Sequence, residues 1–214
     1  MRLILASGNR HKAAEMNDVF RDHSVLLPES LHVEYDHQEV ASSFRENALG
    51  KARSLYAAVT ETLGPETARD YAFLADDSGL CVHALDGRPG IHSARYGETP
   101  DRGRLSDAER NRLLLSELTG VQERSAYFVC AMVLLFTPER FSVVQEAWHG
   151  EITAEPSNGT GGFGYDPVFY VREHGCTAAE LSSAEKNRSS HRGRAASLIR
   201  GLLPAADALP SREA

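Results

Sequence analysis

The tightest constraint in this chain is the stretch Leu74-Ala75-Asp76-Asp77-Ser78-Gly79-Leu80. An apolar run from Tyr71 to Ala75 leads directly into two adjacent carboxylates, a hydroxyl and a glycine, and a second run from Leu80 to Leu85 follows at once. Short apolar runs bounded by turn residues mark buried strands, so the acid pair is expected at the end of a sheet, with core on both sides. Neighbouring carboxylates repel and lose hydration there unless positive charge joins them. Two arrangements satisfy this. One is a hard divalent cation such as Mg²⁺ on oxygen ligands. The other is a turn in which Asp76 bonds the backbone and Asp77 faces water.

With 214 residues, 42% of them hydrophobic, the chain can build one substantial core with room for two lobes. Residues 1–203 are expected to form a single domain, and 204–214 a loose C-terminal tail. The net charge of −7 disfavours generic DNA or RNA binding, so a phosphate site must be a local concentration of positive charge. Cys81, Cys130 and Cys176 are odd in number, and the first two lie in strand-like runs, which suits a reduced, cytosolic protein. No apolar run reaches the length of a membrane span, and the N-terminus reads as a strand, not a signal peptide.

Met1 to Ala6 is the first expected strand. Ser7-Gly8-Asn9 then turns into a helix with Ala13, Met16 and Phe20 on its apolar face and Asn9 as N-cap. Arg10, His11 and Lys12 put positive charge in the first turn, opposite to the dipole rule. Such charge beside free backbone N–H groups favours an anion site over a solvated turn. Leu31 to Tyr35 is expected to be a strand, followed by Gln38 and Glu39 in a loop. Ser43 to Glu46 is a capping box. It opens a long helix with Phe44, Ala48, Ala52, Leu55, Tyr56 and Val59 inward, closed by Gly64-Pro65 and carrying structure with no chemistry implied.

After the acid pair and the Asp86-Gly87 turn, residues 88–97 are too irregular for a regular element. Ser106 to Glu109 is a second capping box, starting a helix through Leu113, Leu114 and Leu118 to Gly120. Ser125 to Phe136 and Phe141 to Ile152 are expected to pair as a long antiparallel hairpin, the spine of a second lobe. The loop Asn158 to Pro167 sets four glycines around Phe163. Glycine lets backbone approach a ligand, and an aromatic there can stack on a flat ring; the bland alternative is a mobile loop with Phe163 in the core. Lys186 to Arg194 holds four cations and His191 ahead of a final helix with Ala195, Leu198, Ile199 and Leu202 inward. A charge run at a helix start is usually solvated. As a second positive cluster in an acidic protein, this one favours a polyphosphate ligand.

Together these segments resemble the inosine/xanthosine triphosphate pyrophosphatase family. The resemblance is carried in family order by Ser7-Gly8-Asn9 with Lys12, Phe44-Arg45-Glu46-Asn47-Ala48 and Ala75 to Leu80. It continues through Pro89 to Tyr96, Gly159 to Pro167, and Lys186 with Ser190-His191-Arg192. It implies a two-lobed mixed α/β fold around a long central sheet, with the active-site cleft between lobes, and a cytoplasmic homodimer. The implied reaction converts nucleoside triphosphate and water to monophosphate and pyrophosphate with Mg²⁺, on ITP, dITP and XTP, with no nucleic-acid or membrane partner. By position, Asp77 is implied as general base or metal-bound acid, with Asp76 and Glu39 supporting the metal. Ser7, Gly8, Asn9, Lys12 and Ser78 are implied to take the phosphates. Phe163 is implied to stack on the base, bordered by Gly164, Tyr165, Asp166, Lys186, His191 and Arg192. Where the family often has Glu-Thr-Gly-x-Thr, this chain has Glu39-Val40-Ala41-Ser42-Ser43, and its Gly64 to Asp70 stretch is longer, as a surface insertion would be.

The rivals are distinguishable on residues. A pyrophosphatase of modified pyrimidine nucleotides would lack the Ser-His-Arg segment, and the acidic net charge argues against a nuclease. A nucleotide sensor without turnover would leave the Asp76-Asp77 pair unexplained.

Overall fold

The computed structural model describes residues 1–203, so the tail expected over 204–214 lies outside the described residues. In chain order the elements are β1 (Arg2–Leu5), α1 (Arg10–Val19), β2 (Ser24–Leu26), α2 (Phe44–Leu63), α3 (Pro65–Ala68) and β3 (Tyr71–Val82). There follow α4 (Asp107–Glu117), β4 (Ser125–Thr137), β5 (Arg140–Ile152), β6 (Phe169–Val171), β7 (Cys176–Thr177), α5 (Ser183–Ser189) and α6 (His191–Arg200). The strands form one seven-stranded sheet in the order β2-β1-β3-β4-β5-β6-β7. β1 runs parallel to β2 and β3, and β6 runs antiparallel to β5 and β7. This is the mixed α/β fold around a long central sheet that the sequence implies. Among the described residues no helix is long and apolar enough to cross a membrane.

The chain divides into two compact units. The first contains Met1–Asp77, Ala131–Gln145 and, among the described residues, 192–203. One of its cores sets Ile4, Tyr71, Phe73, Ala75, Ala131 and Val133 against Ala48, Ala52, Leu55 and Val59 of α2. α1 buries Ala13, Met16 and Phe20, as its spacing requires. α2 begins where Ser43 Oγ accepts the Glu46 N–H and ends at Gly64. Only half of the expected capping box forms: the Glu46 carboxylate accepts from the Ser42 and Ser43 hydroxyls and not from the Ser43 N–H. The second unit contains Ser78–Cys130 and Glu146–His191. Its core packs Leu80, Val82, Leu114, Phe128, Trp148 and Phe169 together. Here the capping box is complete: Ser106 and Glu109 satisfy each other's N–H groups at the start of α4.

Several expectations are corrected. Leu31 to Tyr35 is not a strand. Pro28–Leu31 forms a 3₁₀ turn, and His32 at φ 54° breaks the extended run. Residues 88–97 are more regular than expected, with a 3₁₀ helix over Gly90–Arg95. The stretch before β3 does lie at the surface, with Pro65, Glu66, Thr67, Arg69 and Asp70 exposed, and its short α3 buries Ala68 alone. The β4–β5 hairpin is shared, since Ala131–Gln145 belongs to the first unit. The cationic run does not open one helix. Lys186 and Arg188 close α5, Ser190 caps it, and α6 starts at His191. The buried stripe of α6 runs through Arg192, Ala195, Ala196 and Ile199, which leaves Leu198 and Leu202 about half exposed.

The most consequential correction concerns the acid pair. The pair does not end a strand: β3 is one twelve-residue strand that continues through Asp76 and Asp77 and on through Ser78-Gly79. Its neighbours explain why. The register with β1 runs out at Leu5 opposite Leu74, so the carboxylates begin just past the end of β1, while the thirteen-residue β4 flanks β3 on its other side.

Candidate active site

Side chains along a strand alternate faces. Tyr71, Phe73 and Ala75 pack in the core beneath α2, so Asp77 inherits the α2 face and Asp76 the opposite one. The two carboxylates are adjacent in sequence yet answered by different cations. This is how β3 tolerates both in a buried position, at 2% and 4% exposure.

On one face, Asp76 Oδ2 accepts Lys12 Nζ from α1 at 2.8 Å and Arg192 Nε from α6 at 3.3 Å. Arg192 Nη1 also donates to Glu15 Oε2 at 2.8 Å, one turn of α1 beyond Lys12. Burial alone raises the Asp76 carboxyl, but the charges of Lys12, Arg192 and Lys51 outweigh it and hold the group well below the usual carboxylate range. Asp76 is thus a fixed negative charge.

On the α2 face, Asn47 Nδ2 donates to Asp77 Oδ2 at 3.1 Å and Lys51 Nζ approaches Asp77 Oδ1 at 3.3 Å. The same ammonium pairs with Glu39 and donates to the Asp76 carbonyl at 3.1 Å. Burial pushes the Asp77 carboxyl up; Lys51 and Asn47 pull it down and the Glu39 charge raises it, and the net direction is upward. Lys51 itself is lowered by burial but raised overall by the Asp77, Asp76 and Glu39 charges. Adjacent carboxylates driven in opposite directions are the pattern by which one site assigns separate acid–base roles to chemically identical groups.

The loop before α1 is largely self-satisfied. Asn9 Oδ1 accepts the His11 and Lys12 N–H groups at 2.9 and 3.3 Å, and the Asn9 N–H donates to Ser7 Oγ at 3.1 Å. Asn9 is therefore the expected N-cap, and fewer backbone donors face outward than an anion cradle built from that whole turn requires. Gly8 is exposed, with open space where a Cβ would stand.

In the second unit the glycine-rich loop is pinned in place. A Cβ at Gly159 or Gly161 would meet Ala179 backbone atoms at 2.6 or 2.9 Å, so these two glycines serve close packing. Phe163 is half-buried and outside the apolar core. Its N–H donates to Asp166 Oδ2 at 2.7 Å, and Lys186 Nζ, 2.7 Å from the same oxygen, lies 4.8 Å from the centre of the Phe163 ring. Lys186 and Asp166 form a buried pair, so this part of the cationic run is not a solvated face. His191 is buried too, stacked on Phe128 with centroids 4.8 Å apart and planes 6° from parallel. Tyr165 belongs to the core, its hydroxyl donating to the Ser93 carbonyl at 2.9 Å, so it supports the loop from beneath.

The model of the Ham1 family matches residues 3–201. This chain belongs to the Ham1 family. A dITP/XTP pyrophosphatase of Treponema denticola is 48% identical over 195 residues, covering 91% of this chain and 94% of that one. A dITP/XTP pyrophosphatase of Neisseria meningitidis is 43% identical over 206 residues, covering 94% and 96%. Among solved structures, a HAM1 protein from Coxiella burnetii superposes with a TM-score of 0.78 at 38% identity, covering 94% of this chain and 98% of that one.

In this Ham1 chain, the residues singled out from sequence fall into groups. Lys12, Asp76 and Arg192 meet on one face of β3; Glu39 and Asp77 meet at Lys51 on the other; Phe163, Asp166 and Lys186 meet in the second unit. Arg192 faces carboxylates here, and Ser78 is half-buried on β3. Among the described residues no three His, Cys, Asp or Glu side chains are grouped to hold a metal ion. Asp76, turned to the other face, is set apart from Glu39 and Asp77. Sequence reasoning missed Asn47, Lys51 and Glu15. The signal existed: Asn47 and Leu55 lie in the buried stripe of α2 with the half-buried Lys51 at helical spacing between them, and polar residues there require partners.

Proposed function

We propose that this chain hydrolyses deaminated purine nucleoside triphosphates (ITP, dITP and XTP) to the monophosphate and pyrophosphate, assisted by Mg²⁺. The observation that supports this most is the divided acid pair, with Asp76 fixed as an anion between Lys12 and Arg192 and Asp77 raised beside Lys51 and Glu39. Cationic side chains around carboxylates at the ends of α1 and β1 suit a polyphosphate that brings its own negative charge and its own metal.

The donor set fits a hard cation. Glu39 and Asp77 offer carboxylate oxygens, and the Lys51 ammonium already stands between them as a positive charge. Mg²⁺ is commonly held by one or two carboxylates plus substrate phosphates, so a three-carboxylate cage is not required. Glu39 and Asp77 would hold it, and it would supply charge neutralisation on the phosphates.

Lys12 and Lys51 stabilise negative charge as it grows on departing pyrophosphate, the largest class of catalytic contribution. Asp77, the more basic of the two acids, orients water towards the α-phosphorus and accepts its proton. The new bond joins water oxygen to phosphorus, and the bridging oxygen leaves with pyrophosphate. The exposed turn at Gly8, shaped by Ser7 and the Asn9 cap, meets the phosphates together with Ser78.

Phe163 offers a ring face to the base, with Asp166 and Lys186 fixing its backbone and ring. Hypoxanthine and xanthine present an acceptor at O6 where adenine presents a donor, so donors from His191 and Arg192 would favour the former. A fixed polar site rejects such a mismatch by ~10⁴-fold or more. The same reading makes the chain a cytoplasmic homodimer, which light scattering of the purified protein checks for mass. The activity is tested by offering ITP, dITP, XTP, GTP and ATP with Mg²⁺ and identifying the phosphate product. Pyrophosphate from the first three supports the proposal; orthophosphate, or equal turnover of ATP, refutes it.

A further inference from the structure

Phe163 is followed by Gly164 at φ +66°, a backbone conformation that only glycine adopts without strain. Both polar groups of Gly164 are held from α4. Its N–H donates to Asp107 Oδ2 at 2.6 Å, and its carbonyl accepts from Asn111 Nδ2 at 3.0 Å. Asp107 and Asn111 are one helical turn apart and so share a face. Arg110, buried between them in sequence, pairs with Asp107 and bonds the Leu105 carbonyl, which fixes the carboxylate. On the preceding residue, the Phe163 N–H is held by Asp166, which has its own cation in Lys186. Two consecutive N–H groups are therefore gripped by two carboxylates, each neutralised by a buried cation.

Asn111 is only 4% exposed, and its Oδ1 is buried with no hydrogen-bond partner. An unsatisfied buried acceptor costs stability, and an apolar side chain of similar size would avoid that cost. A position chosen for packing alone would not retain asparagine; one chosen to grip a particular carbonyl would.

We propose that Asp107 and Asn111 are positioning residues that clamp Gly164 and so set the angle of the Phe163 ring against the purine. This rests on the reading of Phe163 as the stacking surface for the base. The clamp acts on binding and not on the phosphates, so its loss appears in KM.

The test is steady-state kinetics with ITP, with thermal melting, on Asn111→Leu, Phe163→Ala and the double variant. Asn111→Leu is expected to raise KM about fivefold, the equivalent of one hydrogen bond. Its kcat should stay within about twofold of the parent, its Tm should not fall, and it should add nothing in the Phe163→Ala background. Asp107→Asn, which keeps an acceptor oxygen, should retain the parent KM, while Asp107→Ala should raise it. If Phe163→Ala raises KM and Asn111→Leu does not, the clamp is wrong and the stacking surface stands. If the Asn111→Leu effect repeats in full in the double variant, Asn111 acts by another route and the proposal falls. If Phe163→Ala leaves KM unchanged, the stacking surface is wrong and the clamp falls with it.

Discussion

The opposed environments of Asp76 and Asp77 predict that removing the two charges has unequal consequences for stability. Asp76→Asn leaves Lys12 and Arg192 without their shared carboxylate, on a face where Arg192 is 5% and Lys12 16% exposed. Breaking a buried ion pair by removing one partner costs about 3–5 kcal/mol. Arg192 retains Glu15 at 2.8 Å and Lys12 is not fully enclosed, so the lower end, ~3 kcal/mol, applies. Near this chain length ~1 kcal/mol moves Tm by ~2–4 °C, so Asp76→Asn should melt roughly 6–12 °C lower at neutral pH. Asp77→Asn removes a charge that burial opposes, and its Tm should lie within ~3 °C of the parent or above it. The pH dependence carries the same sign. Asp76, with a depressed folded pKa, contributes stability that is present above its unfolded pKa of ~3.9 and lost as pH falls towards the folded value. Asp77, with a raised one, weighs against the native state as pH climbs above ~3.9. The gap between parent and Asp76→Asn should therefore narrow below about pH 4. Calorimetry in chelator-containing buffer across that range is the assay. Equal losses for both variants, or no loss for Asp76→Asn, would refute the division of the pair.

Lys51→Met removes the cation that pulls Asp77 down, so the acid limb of the kcat pH profile should move to higher pH, with kcat/KM more than tenfold lower; an unmoved limb would separate Lys51 from Asp77. Lys12→Ala should lower kcat/KM for ITP more than tenfold, partly through kcat, because charge on the phosphates grows during cleavage. Phe163→Ala should raise KM for ITP and XTP alike by roughly 5- to 150-fold, since stacking on a π-face is worth ~1–3 kcal/mol and ignores base edges. The ITP-to-ATP preference should then stay within a few-fold, and loss of preference would show that Phe163 reads the base edge instead.

Much of the site was legible because it depends on local chemistry. Asn9 caps α1 as its side chain and position dictate, and the misplaced charge of Lys12 does meet an anion, though a carboxylate in this structure. The acid pair did demand positive charge. What sequence alone missed was that Ser78-Gly79 stays extended, because the long partner β4 comes from a distant part of the chain and overrides local turn preference. Reading β3 as one strand would have split Asp76 from Asp77 at once. α2 was read as structure only, whereas its buried stripe carries Asn47 and Lys51 to Asp77. Likewise His191 is buried by Phe128 and Trp148, which local charge patterning does not reveal.

Under the proposed mechanism, water attacks the α-phosphorus with Asp77 as base. Hydrolysis of dITP with Mg²⁺ in oxygen-18-labelled water, followed by mass spectrometry of both products, tests it most directly. Attack at the α-phosphorus places the label in the nucleoside monophosphate and leaves pyrophosphate unlabelled, with Asp77→Asn nearly inactive by the same assay. Label in pyrophosphate, or release of labelled orthophosphate, would contradict attack at the α-phosphorus.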